Sequence, residues 1–190
     1  MAARFGDDGR VDSLSGSLLI AGPGLWDPNF RRTVVLIGHH DEEGAVGVVL
    51  NRVAEVEVAE AAPPLAELVA PGERLHLGGP VQPQAAVVVA DFEDPDRAQV
   101  VAFGSIGFLP EEIEPGAVGD LRRARVFAGY AGWGPGQLER ELEEGSWIVE
   151  TARAEDVFTD EPEELWSDVV RRKGPTYRLM ATMPLDPSTN

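Results

Sequence analysis

A chain of 190 residues with 43% apolar and 26% charged side chains has the length of one domain. A globule of this size buries roughly 70% of its unfolded surface in a single core, which excludes disorder for the body of the chain. Its 33 acidic residues against 16 basic ones leave a net charge of −17, a field that repels phosphate backbones and makes free DNA or RNA a poor partner. The lack of cysteine removes disulfides, thiolate nucleophiles and Cys-ligated zinc or iron–sulfur centres together.

Residues 1–14 are polar, rich in Gly and Asp and aperiodic, with no apolar run of leader type, and are expected to be loose. Short β-branched or apolar runs bounded by Gly, Pro and Asp then predict strands at Ser17–Ala21, Thr33–Gly38, Ala45–Leu50, Ala85–Ala90, Gln99–Phe103, Ala124–Tyr130, Ser146–Val149 and Tyr177–Ala181. His40-Asp41-Glu42-Glu43-Gly44 has the length and glycine of a hairpin turn, so the second and third strands should be antiparallel.

Helices are expected over about Pro64–Val69, over Pro135–Glu144 closed by Gly145, and over Glu161–Lys173 closed by Gly174 and Pro175. In the last of these Leu165, Trp166, Val169 and Val170 make one apolar stripe, which reads as core. Residues 184–190 again suit a loose tail, leaving a single domain over 15–183. Strands in direct succession mixed with strands separated by helices favour an α+β fold. The longest apolar runs are strand-sized, so a cytoplasmic, unanchored protein is expected.

Four stretches in order resemble the YqgE/AlgH family: Gly16–Ala21 with Asp27-Pro28-Asn29-Phe30-Arg31-Arg32-Thr33-Val34-Val35; His40–Arg52; Leu77-Gly78-Gly79-Pro80-Val81; and Gly129-Tyr130-Ala131-Gly132-Trp133 with Gly136-Gln137-Leu138-Glu139, followed by Trp147. The resemblance implies a compact single-domain fold with a branched, partly barrel-like mixed sheet flanked by helices. It implies no settled activity; the transcription-regulator label of some bacterial members is a genetic association rather than a chemistry. This chain has Ala90 where the family often has His, and Val53 where it often has Pro.

The candidate chemistry is sparse. His40 beside Asp41 suits an oriented general base, or equally a turn whose carboxylate caps the backbone. Neighbouring His39 and His40 point to opposite strand faces and cannot readily share a metal, and no metal or cofactor is expected. Asn51 and the Gly78-Gly79-Pro80 turn would add a polar notch if the sheet brings them near His40, although the glycines also suit a turn that tolerates nothing larger. Gly132–Gly136 opens a helix but lacks the Lys or Arg of a phosphate loop; Trp133 reads as packing, while Gln137 and Glu139 are left without a role. The acid-dense segment from Asp91 to Asp96 reads as a solvated loop.

These observations lead to a non-catalytic binding or regulatory protein. His40, Asp41, Asn51, Gly78, Gly79, Trp133 and Gln137 would form a loop-built patch for an unidentified protein or small-molecule partner. The alternatives are a metal-independent hydrolase or transferase with His40 as base and the Gly-Gly turn as anion donor, and a regulator touching DNA through Arg122, Arg123 and Arg125 with Arg171, Arg172 and Lys173.

Overall fold

A computed structural model describes residues 13–182, apart from 111, 113–115 and 117. The strands are β1 (Ser17–Ala21), β2 (Val34–Asp41), β3 (Gly44–Val49), β4 (Val53–Glu57), β5 (Arg74–Leu77), β6 (Val81–Phe92), β7 (Val100–Phe103), β8 (Ile106–Phe108), β9 (Leu121–Trp133) and β10 (Trp147–Thr151). Between them lie α1 (Val58–Ala61), a 3-10 turn over Pro63–Leu68, a second over Pro95–Arg97, α2 (Gln137–Glu143), α3 (Ala154–Val157), α4 (Leu165–Lys173) and α5 (Pro175–Thr182). Among the described residues no helix is long and apolar enough to cross a membrane.

The ten strands form one α+β domain whose sheet runs β10-β1-β2-β3-β9-β6-β8-β7, with β4 paired to β5 and β5 paired to β9. Pairing is antiparallel, including the β2–β3 hairpin, except between β5 and β9. The branch lies on β9. One edge pairs with β6 from Leu121 to Tyr130, while the other takes β5 at Phe127 and Ala128 and then β3 from Ala131 to Trp133. The sheet is not closed, but its far end folds back: a side chain at Gly16 would strike the carbonyl of Ala102, and one at Gly38 would lie 2.6 Å from the Phe108 ring.

Val89, Phe127, Ala131 and Trp133 face the larger core with β1, β2 and β3, and α4 completes it with the expected stripe of Leu165, Trp166, Val169 and Val170. Val88, Ala90, Ala124 and Val126, their neighbours on β6 and β9, face a smaller core closed by Val58 and Leu65. Both faces of the central strands are thus covered, which explains their near-continuous apolar runs. At the sheet's end, the β10 carbonyls of Val149 and Thr151 accept hydrogen bonds from Lys173 and Arg172 (2.6 and 3.2 Å). This blunts an otherwise open edge.

Four features depart from expectation, the first being that the helix expected over Pro64–Val69 is the 3-10 turn Pro63–Leu68. The run Tyr177–Ala181 is helical, within α5, because Pro175 supplies a preset first helical residue and Arg178, Leu179, Met180 and Ala181 are strong helix formers. β4, β5 and β8 are additional strands: β5 and β8 are too short to stand out as runs, and β4 is broken up by Glu55 and Glu57. Residues 1–12 and 184–190, expected to be loose, lie outside the described residues, whereas Ser13 and Leu14 are tied down by hydrogen bonds to His40.

The branch depends on close backbone contact. Gly129 adopts φ 68°, and a Cβ there would lie 2.6 Å from the Gly79 carbonyl and 2.8 Å from that of Val81. Gly129→Ala should therefore cost about 3 kcal/mol or more. Gly72→Ala, with φ 79° but nothing within 4 Å, should cost only about 1 kcal/mol. Urea denaturation of the two variants measures the difference.

Candidate functional site

A bulge between Ile37 and His39 shifts the register of β2 against β3. His39 and Asp41 consequently lie on the solvent side, while the His40 side chain is 1% exposed. The sequence-adjacent His40–Asp41 pair does not form. Instead His39 Nε2 meets Asp41 Oδ2 at 2.8 Å, and Asp41 Oδ1 accepts the Glu43 N–H at 2.8 Å. The His39 hydrogen bond, followed by that of the Glu43 N–H, holds the Asp41 carboxyl below its ordinary range.

His40 turns inward to Glu139, with Nε2 and Oε1 2.9 Å apart. Its Nδ1 accepts the backbone N–H of Leu14 at 3.0 Å. A backbone N–H can only donate, so Nδ1 holds the lone pair and Nε2–H donates to Glu139. Ser15 Oγ accepts the His40 N–H and Ser13 Oγ donates to its carbonyl. Imidazole and main chain of His40 are both used in fixing structure.

Pairing aligns His40 with Ala45 and Ala45 with Trp133, placing the three on one sheet face. Over them sits α2, anchored by buried Leu138. Glu141 Oε2 accepts both the Trp133 and Trp147 indole N–H groups (2.9 and 2.8 Å), and its Oε1 accepts from the Gln137 amide at 2.8 Å. Gln137 Oε1 in turn accepts the Gly134 N–H at 3.1 Å. Phe30 packs against both indoles, with ring centroids 6.2 and 5.6 Å away.

Asn51 and the glycine pair lie elsewhere. Asn51 Oδ1 accepts the Val34 N–H and its Nδ2 donates to the Arg32 carbonyl, both at 2.8 Å. The Gly78 N–H donates to Ala128 and its carbonyl accepts from Val49, both at 2.8 Å. Six residues of extended chain, about 20 Å, separate Ala45 from Asn51. The seven candidate positions thus divide: His40, Asp41, Trp133 and Gln137 gather at one end of β3, and Asn51, Gly78 and Gly79 at the other. Glu141 was not singled out from sequence, although two tryptophans and a glutamine around a helix should have prompted a search for an acceptor for their N–H groups.

A second polar group lies in the interior, and it contains Arg125, which the sequence places in a surface basic cluster. Arg125, 3% exposed, donates to Glu73 (3.0 Å) and to the carbonyls of Val157 and Thr159 (both 2.9 Å). His76, also 3% exposed, donates from Nδ1 to the Arg74 carbonyl at 3.2 Å, and its Nε2 has no partner. Burial first, and the Arg125 charge second, push the imidazole down to about 4. Among the described residues no three His, Asp or Glu converge as a metal site would require.

The basic clusters are spent on acids rather than gathered. Arg122 bonds Asp91 and the Phe92 carbonyl, and Arg123 bonds Asp160. Arg171 pairs with Asp168, Arg172 holds buried Asp156 through two bonds, and Lys173 pairs with Glu150. An Arg whose charge is already paired with a carboxylate attracts a phosphate less strongly.

Two predictions follow from this wiring. Glu141→Ala strands two indole N–H groups and should cost roughly 2–4 kcal/mol, with a red shift of tryptophan emission as the check. For His76 the unfolded imidazole gains its proton near 6.5 and the folded one only near 4. The unfolded chain therefore binds more protons in that window, and stability is lost as pH falls through it, by about 3 kcal/mol at most. His76→Phe should remove that share of the slope, read as the wild-type minus variant unfolding free energy from pH 7 to 4.

A family model described as AlgH-like matches residues 18–178. A UPF0301 protein of Streptomyces coelicolor is 45% identical over 95% of this chain and 97% of its own length. One from Chlorobaculum tepidum is 43% identical over 92% and 95%. Among solved structures, a Corynebacterium diphtheriae protein superposes with a TM-score of 0.79 at 31% identity, covering 88% of this chain and 91% of that one. The solution structure of AlgH from Pseudomonas aeruginosa gives a TM-score of 0.69 at 29% identity over 92% and 96%. With a family match over nearly the whole described domain and relatives above 40% identity along almost their full length, the chain belongs to the AlgH-like family, the YqgE/AlgH grouping that its four motifs resemble.

Proposed function

We propose that the chain is a non-catalytic binding or regulatory protein of the cytoplasm that holds a protein or small-molecule partner. The surface consists of the β2–β3 turn, Asp41 to Gly44, and the Gly134–Gln137 entry to α2. Gly44 lies so close to the carbonyl of Trp133 that any side chain there would strike it, so the two loops adjoin. Asp41, Glu42, Glu43, Gly134, Pro135 and Gly136 are exposed along this junction. Asn51, Gly78 and Gly79, at the far end of β3, are left out of it.

The observation that carries the reading is that His40, Glu139, Gln137 and Glu141 lie directly beneath these loops with polar atoms already engaged. Groups so occupied shape a surface rather than exchange protons. A hydrolase using His40 as base is less well supported. It needs a lone pair that the Leu14 N–H already fills, and an anion donor whose N–H groups are near His40, whereas the Gly78 N–H is bonded to Ala128 at the other end of β3. Regulation by direct DNA contact is less well supported because the proposed Arg side chains hold acids or core carbonyls.

Photo-crosslinking residues placed at Glu42 and at Gly136 in the intact protein should each trap a discrete adduct in growing cells. The same residue at Glu93, exposed on the distant loop after β6, should not. Gln137→Ala should weaken the adduct severalfold while leaving the melting temperature within a few degrees. Equal trapping at all three positions, or none at Glu42 and Gly136, would refute the assigned surface.

A further inference from the structure

The loop before β2 is built with more constraint than a connection needs. Asp27 Oδ1 accepts the Asn29 N–H at 2.8 Å, and the Asp27 carbonyl accepts the N–H groups of Phe30 and Arg31. Arg32 is held at φ 54°, a left-handed conformation that costs a non-glycine residue about 1 kcal/mol. Asn51 clamps the Arg32 carbonyl and the Val34 N–H. Arg52 Nη2 donates to the Arg31 carbonyl at 2.7 Å, bringing a second guanidinium to the same corner. Strain that the surroundings over-determine is a feature of recognition loops.

The loop displays an indole and positive charge. Trp26 is 56% exposed, against 6%, 4% and 5% for Trp133, Trp147 and Trp166, and the Arg31 guanidinium carbon lies 5.9 Å from its ring centroid. Among the described residues every ion pair involves other groups; neither Arg31 nor Arg52 has a carboxylate within bonding distance. Acids outnumber bases 33 to 16 in this chain, so two cations with no carboxylate partner stand out, even with exposed Asp27 in the same loop. The pKa of Arg32 is lowered by burial and then by the charge of Arg31, which places the two cations near each other.

We propose that the Trp26–Arg31–Arg52 corner docks a short acidic segment of a protein partner, its carboxylates on the two guanidiniums and an aliphatic or proline side chain on the Trp26 indole. Guanidinium forks match carboxylates through paired N–H bonds, and an exposed indole gives apolar contact area at little entropic cost. A nucleic acid fits less well. Its backbone carries one charge per about 1.7 Å of duplex and would extend past this small corner into the field of a −17 chain. A short peptide can end within the screening length of about 8 Å.

The surface is separate from the loop junction at α2, and its test stands without that reading. A random peptide library displayed on phage is selected against the full chain at low salt. Recovered sequences should be enriched in Asp and Glu flanking an aliphatic residue or proline. The leading peptide, synthesised without tryptophan, should change Trp26 emission saturably, and Trp26→Phe should abolish that change. Arg31→Gln and Arg52→Gln should each weaken binding about tenfold, with circular dichroism unaltered, while Arg97→Gln on a remote surface should not. Selection without acidic enrichment, affinity indifferent to both Arg31→Gln and Arg52→Gln, or tighter binding of a single-stranded oligonucleotide through the same residues overturns the assignment.

Discussion

The architecture depends on one strand accepting three partners, and β9 can do so only because backbone lies against backbone at Gly78, Gly79 and Gly129. A Cβ on any of these would strike the main chain of a neighbouring strand, and no rotamer change relieves a backbone clash. The crossing lets β5 take the edge of β9 for two residues and then leave it to β3. It also sets the register of the His40–Ala45–Trp133 row, because β3 meets β9 only beyond the crossing. The Gly-Gly-Pro turn, which in isolation suggests a cradle for an anion, is therefore a condition of the fold, and its N–H and carbonyl groups close the branch.

Polar chemistry in this protein is directed inward. Glu141 satisfies two indoles and an amide, Glu139 orients His40, Asn51 bridges two strand ends, and Arg125 ties β9 to the end of α3 and the residues just after it. Each replaces water with a fixed partner, and the gain lies less in the bond than in avoiding an orphaned donor, which costs about 1–3 kcal/mol. Among the described residues two buried nitrogens are left without a partner, Arg172 Nε and the Nε2 of His76. Its imidazole is held neutral by burial and by the nearby Arg125 charge, and an uncharged ring beside Phe127, 5.3 Å between centroids, packs as an aromatic.

How much of this could be read from the residues differs by length scale. The α4 stripe was legible from its helical spacing, the runs at Ser17–Ala21 and Ala45–Leu50 from apolar or β-branched residues bounded by turn residues, and the hairpin from the length and glycine of its connection. β5 and β8 were not, since four and three residues carry too few repeats to display a period. Tyr177–Ala181 was misread because a five-residue apolar run has no period that separates strand from helix, so propensity and the preceding proline decide. The candidate site was legible as a set of residues but not as a place. Strand alternation separates His39 from His40, yet the swap of partners, His39 to Asp41 and His40 to Glu139, requires a helix about a hundred residues away.

Charge distribution shows where recognition remains possible. A chain this acidic has few cations to spare, and most of them act as struts: Arg172 and Lys173 cover the edge of β10, Arg122 ties the Asp91 carboxylate to the Phe92 carbonyl, and Arg125 crosses the core. Such groups are poor ligands for an outside anion, since the buried carboxylate left behind would lose its own partner. Among the described residues neither Arg31 nor Arg52 is paired with a carboxylate; the loop that carries Arg31 is held by main-chain hydrogen bonds, by Asn51 and by one N–H of Arg52, which donates to the Arg31 carbonyl. A partner can therefore engage Arg31 and the remaining N–H groups of Arg52 without breaking an ion pair. At the loops over Glu139 and Glu141 the side chains beneath are committed, and the exposed residues of the two loops are what a partner would meet.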